Sequence, residues 1–163
     1  MNRLSMLLFP ALLVVATVFA LNSIADMPEN IAVHFSATGE PDRWITRDHY
    51  RVLALVTLVG LSPLLVWVMG ILPRYTGGRG QIPDPEYWFA EERRDSTNTF
   101  LISHACWLGC LTVAVGYGLH VLILRANASN PPILAIDRLA TMIIVFLIGL
   151  VWWGSSFLRH FRR

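Results

Sequence analysis

Lysine is absent from this 163-residue chain, cysteine occurs only twice, and the four longest apolar stretches contain no Asp, Glu or Arg. All thirteen basic residues are therefore arginine, and the net charge of +2 is too small to favour nucleic acid as a partner. Cys106 and Cys110 lie four residues apart in one apolar stretch, where a disulfide between them is geometrically unfavourable. With 55% hydrophobic residues, the chain has too little polar sequence to form a separate soluble domain.

The four apolar stretches are each long enough to span a bilayer, which takes about 20 helical residues. They cover residues 4–24, 52–72, 100–124 and 139–158, and the fourth predicted span, with its entry, covers about 135–158. We therefore predict an all-α fold, an integral membrane four-helix bundle made by a single domain over residues 1–163. The first stretch follows a basic N-terminus, like a secretory signal, but it exceeds the roughly 7–15 apolar residues of such signals. We interpret it as a retained anchor helix.

Arginines near the ends of the spans predict the orientation of the bundle. On the side of the termini lie Arg3, Arg74, Arg79, Arg93, Arg94, Arg159, Arg162 and Arg163, and on the other side lie Arg43, Arg47, Arg51, Arg125 and Arg138. Because basic residues favour the cytoplasmic side, both termini and the loop of residues 73–99 are predicted to be cytoplasmic. The loop of residues 25–51 is then external and structured.

The external loop is rich in residues that a simple connection would not need. Ile31, Val33 and Phe35 alternate with other residues, which is typical of a short strand or an extended arm with one apolar face. A turn is expected over residues 36–40, and Thr46 can cap the next helix. The candidate residues for ligand or partner binding are Pro28, Ile31, His34, Phe35, Gly39, Pro41, Asp42 and Trp44. The loop is either a lid on the bundle or a recognition surface for a peptide or other ligand.

These loop residues resemble the signature of a bacterial membrane domain of unknown function, which opens the SdpI-type toxin-immunity and signalling proteins. The resemblance extends over about residues 4–75, with Ala32 standing where the family often has proline. The stretch of residues 83–94 is similar to one in short members that consist of this domain alone. The resemblance implies a multi-pass protein of the bacterial cytoplasmic (inner) membrane, with an immunity or signalling role.

The cytoplasmic loop has two distinct parts. Residues 75–80 are rich in glycine but lack the Gly-Lys-Ser/Thr of a phosphate-binding loop, so we predict no nucleotide site. Asp84 and Pro85 are typical of a helix start, and we expect an interfacial helix with aromatic residues toward the membrane and charges toward the cytosol. Its candidate docking residues are Tyr87, Trp88, Glu91, Arg93 and Arg94. The alternative is a helix that only steers the chain into the third span.

The third span contains two histidines and several small residues. His104 and His120 are sixteen residues apart, which leaves them about 160° apart around a helix, so they cannot jointly bind one metal or haem. Each can instead pair with a residue of another span. Close packing of helices is predicted for Cys106, Gly109, Cys110, Gly116 and Gly118. The Ser62-Pro63 pair is predicted to kink the second span.

No arrangement of residues predicts catalysis, so we expect a protein that is not an enzyme and uses no cofactor. An external zinc site made by His34 and His49 with Asp42 or Asp48 has suitable ligand types but no characteristic spacing. The leading prediction is sensing, binding or an immunity-like role through Met27–Trp44. Its partners would be the lipid bilayer and a peptide or membrane protein. The alternatives are an accessory subunit that packs in a larger membrane complex and, third, a small-solute transporter.

Overall fold

The structure is a computed structural model that describes residues 4–162; Arg3 and Arg163, used in the charge count above, lie outside the described residues. The elements are α1 (Leu4–Ala25), β1 (Asn30–Phe35), β2 (Pro41–Thr46), α2 (Arg47–Thr76), α3 (Pro85–Trp88), α4 (Glu91–Asn127) and α5 (Ile136–Phe161). By length and composition, α1, α2, α4 and α5 can each cross a membrane. The predicted all-α membrane fold is confirmed, and the structured loop contains a β-hairpin.

Helix α4 is the central element, since it packs against α1, α2 and α5. Most of the core lies between α1, α2 and α4, where small side chains allow the helix backbones to approach closely. The buried residues of these three helices include Ala16, Ala20, Ile24, Ala54, Leu58, Ala105, Cys106, Cys110 and Val113. At 37 residues α4 exceeds the predicted span. It begins at Glu91 because acidic residues in a first turn favour helix formation.

Helix α5 lies at the periphery of the bundle. Its most apolar 18-residue window contains no buried residue, so most of its surface is not covered by the rest of the described chain. Its contacts with α4 include Met142 against Gly118 and Gly149 against Leu111. As expected from the short connection between them, α4 and α5 are antiparallel neighbours.

Helix α2 contains two π-helical segments, Val56–Leu61 and Trp67–Ile71. Each is followed within two residues by a proline, Pro63 or Pro73. Proline lacks the N–H of a regular helix and its ring collides with the preceding turn, so a wider turn accommodates it. The distortion predicted at Ser62-Pro63 therefore takes the form of a widened helix.

The aromatic and charged stretch of the second loop is not one helix. Pro85–Trp88 forms the single turn α3, whereas the charged residues open α4. Asp84 holds the N-cap position of α3, but in a left-handed conformation (φ 47°) and without a side-chain cap hydrogen bond. The predicted separation of aromatic and charged faces on one interfacial helix is thus wrong, because the chain turns at Phe89 and Ala90.

Candidate binding surface on the hairpin

Strands β1 and β2 form an antiparallel hairpin between α1 and α2. Ile31 pairs with Ile45 and Ala32 with Trp44, and an irregularity before His34 leaves Val33 without a partner. The turn of residues 36–40 is closed by the N–H of Ser36, which donates to the carbonyl of Glu40 at 2.8 Å. Both the short strand and this turn agree with the sequence prediction.

Asn127, the last residue of α4, attaches the hairpin to the bundle. Its Oδ1 accepts from the N–H of Ala32 at 2.8 Å, and its Nδ2 donates to the carbonyl of Ala32 at 3.0 Å and to that of Ile123 at 2.9 Å. The side-chain amide therefore contacts the outer edge of β1 as a neighbouring strand would. This contact also explains why Ala32 is fully buried, contrary to the predicted alternation of buried and exposed residues.

The tip and the base of the hairpin are also fixed. At the tip, the carbonyl of Gly39 accepts from the N–H of Leu134 at 2.9 Å. Gly39 has φ 87°, and a Cβ at this position would lie 2.5 Å from the carbonyl oxygen of Leu134, so only glycine fits. At the base, Thr46 caps α2 by accepting from the N–H of His49, as predicted.

The predicted binding residues of the loop fall into three groups by exposure. Ile31 and Gly39 are buried and serve to attach the hairpin. Phe35 and Pro41 are half-buried, and the exposed members are Pro28, His34, Asp42 and Trp44.

The exposed group combines opposite charges and an indole. Nδ1 of His34 lies 2.6 Å from Oδ1 of Asp42, with 66% and 51% of the two side chains accessible. The Trp44 side chain is 47% exposed, and the adjacent Arg43 is exposed as well. A polar contact this exposed adds little stability, so these side chains are available to a partner.

The backbone at Trp44 also faces outward. Arg47 donates to the carbonyl of Glu29 across the hairpin, and Ile31 and Ile45 are the next pair in the same alternating pattern. Hydrogen-bonded and non-hydrogen-bonded pairs alternate, so the pair that follows Ile31 and Ile45, Ala32 and Trp44, directs its N–H and C=O groups away from the partner strand. On the β1 edge the groups of Ala32 bond to Asn127, whereas on the β2 edge the described residues provide no backbone hydrogen bond to Trp44 from outside the hairpin.

A polar network lies inside the bundle below the hairpin. Nε2 of His120 is 2.7 Å from Oγ of Ser23, and its Nδ1 is 2.9 Å from the hydroxyl of Tyr50. Ser23 Oγ also lies 2.8 Å from the carbonyl oxygen of Phe19, to which it donates. His120 Nε2–H therefore donates to Ser23, and Nδ1 accepts from Tyr50. Because Ser23 directs its proton away from the imidazole, this arrangement joins helices and does not activate a nucleophile.

His104 lies at the opposite end of α4 and pairs with α5. The indole Nε1 of Trp153 donates to the carbonyl of His104 at 2.9 Å, and Nε2 of His104 lies 3.1 Å from the carbonyl oxygen of Trp153. The two rings stack at 4.8 Å. Both histidines thus pair with other helices, as their positions on opposite faces predicted.

The residues predicted for cytoplasmic docking have different surroundings. Trp88 packs inward against Phe161, with ring centroids 5.1 Å apart. Arg93 lies over the ring of Tyr87 at 3.9 Å and donates from Nε to the Tyr87 carbonyl. Glu91 and Arg94 are exposed. No single surface contains all five.

The small residues of α4 pack inside the bundle. A Cβ on Gly109 would lie 2.6 Å from the ring of Phe9, and one on Gly116 would lie 3.0 Å from Leu58. Cys106 and Cys110 are buried as free thiols. The chain's own helices α1 and α2 therefore occupy the space beside Gly109 and Gly116. An accessory subunit would need a different surface.

Three contributors to the hairpin end were missed in the sequence. Asn127 lies at the end of a helix, where nothing in the sequence distinguishes it as a contact to the hairpin. Leu134 contacts the hairpin through its backbone, so its side-chain type gives no signal either. In the sequence, Tyr50 fits the pattern of an amphipathic helix start at α2, so its contact with His120 was not predicted. The two histidines considered for zinc have different partners: His49 contacts Thr46, and His34 contacts Asp42. Within residues 4–162 no group of three or more His, Cys, Asp or Glu could hold a metal.

Residues 11–59 match a family model described as a domain of unknown function, DUF1648. The matched segment contains most of α1, the whole hairpin and the first part of α2. It agrees with a membrane domain of unknown function for this part of the chain. The searches of curated proteins and of solved structures found no match.

Proposed function

We propose that the protein is a non-catalytic binding protein that captures an extended peptide along β2, in a sensing or immunity-like role. The hairpin would face the outside of a bacterial inner membrane, with both chain termini in the cytoplasm. The excess of arginine at the opposite end of the bundle supports this orientation. The resemblance of residues 28–44 to the SdpI-type signature supports the role.

The observation that carries this proposal is the open backbone edge at Trp44. An unpaired strand edge accepts a further strand through main-chain hydrogen bonds, and neighbouring side chains then select the sequence. On the β1 side, Asn127 already occupies the corresponding groups of Ala32. The hairpin can therefore add a strand at this level only along β2.

The side chains around this edge suit a peptide of mixed character. The half-exposed indole of Trp44 offers apolar contact area together with an N–H donor, a combination typical of binding surfaces. His34, Asp42 and Arg43 would supply charged contacts. Because Asn127, Leu134 and Thr46 hold the hairpin at three places, the peptide would meet a surface that is already ordered, which lowers the entropy lost on binding.

The first test is photocrosslinking in the native membrane from a photoreactive residue at position 44, with capture analysed by mass spectrometry. Position 37, exposed at the hairpin tip, is the matched control. We expect a discrete peptide or protein from position 44 and none from position 37. Crosslinks confined to lipid and to the protein's own helices would contradict the proposal and leave the hairpin as a lid.

Once the peptide is identified, two variants distinguish the contribution of the Trp44 backbone to binding from that of its indole ring. Trp44→Ala and Trp44→Pro both remove the indole, but only proline removes the N–H. Because this N–H faces away from β1, proline is compatible with the hairpin, as on other edge strands. Strand addition predicts weaker peptide binding by Trp44→Pro than by Trp44→Ala. Equal binding by the two variants would exclude the backbone edge as the contact.

A further inference from the structure

A pocket of about 420 Å³ lies at the end of the bundle opposite the hairpin, between the end of α2 and the start of α4. Three arginines from three different places in the sequence line it: Arg74, Arg79 and Arg94. Glu86 is the one acidic residue among its described lining residues. The pocket therefore has an excess of positive charge, which favours an anionic ligand.

These arginines are not engaged by the protein itself. Among residues 4–162 none of the three forms an ion pair or a side-chain hydrogen bond. Their neighbour Arg93 differs, since it lies over the Tyr87 ring and within 3.6 Å of a Glu92 carboxylate oxygen. Three unpaired guanidinium groups that line one pocket suit a phosphate chemically, because a planar guanidinium can donate two parallel hydrogen bonds to phosphate oxygens.

The loop that carries Arg79 is held in a defined conformation. Gly77, Gly78 and Gly80 all have positive φ. Nε2 of Gln81 donates to the carbonyl of Val68, which ties the loop to α2. A Cβ on Gly78 would lie 2.6 Å from the ring of Phe89, so close packing keeps this residue a glycine.

The position of the pocket places it at the level of lipid headgroups. Arg74 and Tyr75 lie in the last turn of α2, directly after its apolar segment, and Tyr75 is 76% exposed. Tyrosine and arginine at a span end are typical of the membrane–water interface. A phosphate at this depth would belong to a phospholipid, whose acyl chains can follow the exposed apolar surface of α2.

We propose that Arg74, Arg79 and Arg94 bind the phosphate of an anionic phospholipid headgroup. The three side chains act together as a guanidinium cluster, without the backbone cradle of a nucleotide-binding loop. This lipid site is separate from the hairpin surface and does not depend on it.

The test is native mass spectrometry of the detergent-purified full chain titrated with phosphatidylglycerol, and with phosphatidylcholine for comparison. We expect preferential binding of phosphatidylglycerol. Replacing all three arginines by glutamine should weaken it about 100-fold, since each arginine near a membrane surface contributes about fivefold. The matched control replaces the exposed Arg43, Arg125 and Arg138 of the hairpin end by glutamine and should retain the affinity.

A triple Arg→Lys variant controls for loss of binding by misfolding. It retains the positive charge of the pocket and removes only the planar guanidinium groups. Intermediate affinity of this variant supports the site. Equal phosphatidylglycerol binding by the pocket variant and the control variant would overturn it. If inorganic phosphate saturates the pocket and neither lipid is preferred, the lipid is the wrong source and the phosphate is a soluble one.

Discussion

The two ends of the helical bundle are stabilised by different interactions. At the hairpin end, defined by Ser23, Ala32, Tyr50, His120 and Asn127, polar side chains form short hydrogen bonds between distant segments. At the loop end, the hydrogen bond from the Trp153 indole to the His104 carbonyl is accompanied by a succession of aromatic rings in contact, from Trp153 through His104, Phe100 and His160 to Trp88.

This difference has a physical consequence for each end. A hydrogen bond depends on direction and leaves a costly unsatisfied group when one partner is removed. The contact between stacked rings is distributed over many atoms, so the loss of one polar atom changes the stability little. We therefore expect the hairpin end to be sensitive to single substitutions and the loop end to tolerate conservative ones.

The largest effect is expected for Asn127→Leu, because it leaves both backbone groups of the buried Ala32 without partners. We expect a local loss of about 3 kcal/mol. In hydrogen exchange this corresponds to roughly 100-fold faster exchange of the Ala32 amide. Asn127→Asp, which retains the acceptor but not the donors, should be intermediate. Unchanged exchange in Asn127→Leu would mean that the hairpin is attached elsewhere.

A smaller loss of stability, which affects both ends of the bundle, is expected for Gly109→Ala in the middle of α4. The new Cβ would lie 2.6 Å from the Phe9 ring and 2.7 Å from Val66. Overpacking of this kind costs about 2 kcal/mol, measurable as a lower thermal midpoint in detergent. Gly154→Ala is the control, since a Cβ there meets no described atom within 4 Å. Equal stability of the two variants would show that α1 and α2 do not pack as described.

The polar network of the hairpin end is tested by His120→Leu. This change leaves the hydroxyl of Tyr50 without its partner, and hydrogen bonds between membrane helices contribute about 1 kcal/mol. A double-mutant cycle with Tyr50→Phe isolates the coupling. We expect the second substitution to cost less in the His120→Leu background than alone. Strictly additive losses would show that the two side chains do not interact.

The smallest effect is expected for His104→Phe at the loop end. Phenylalanine preserves the stack with Phe100 and Trp153, and the bond from the Trp153 indole to the backbone carbonyl of residue 104 remains. The loss should stay below about 1 kcal/mol. A larger loss than in His120→Leu would reverse the proposed contrast between the two ends.

Local sequence signals predicted much of this architecture. The apolar runs identify four helices, Thr46 precedes a helix start, and Gly39 marks a turn, because each signal involves residues within a few positions of one another. The opposite faces of His104 and His120 follow from helix geometry alone.

Interactions between distant residues were not predictable in the same way. β2 has no alternation of apolar residues, and it forms because the short turn brings it beside β1. Ala32 is buried by Asn127, which is 95 residues away in the chain. The cluster of Arg74, Arg79 and Arg94 likewise depends on how α2, the glycine-rich loop and α4 meet.

The long separation between Ala32 and Asn127 also has a consequence for biosynthesis. At about 5–20 residues per second, a ribosome needs roughly 5–20 s to extend the chain from one residue to the other. During this interval both edges of the hairpin are open, because Asn127 has not yet been synthesised. Tyr50 lacks its partner His120 for almost as long. The hairpin end is therefore completed only after the third membrane helix has been synthesised, which makes it a late step in the maturation of the protein.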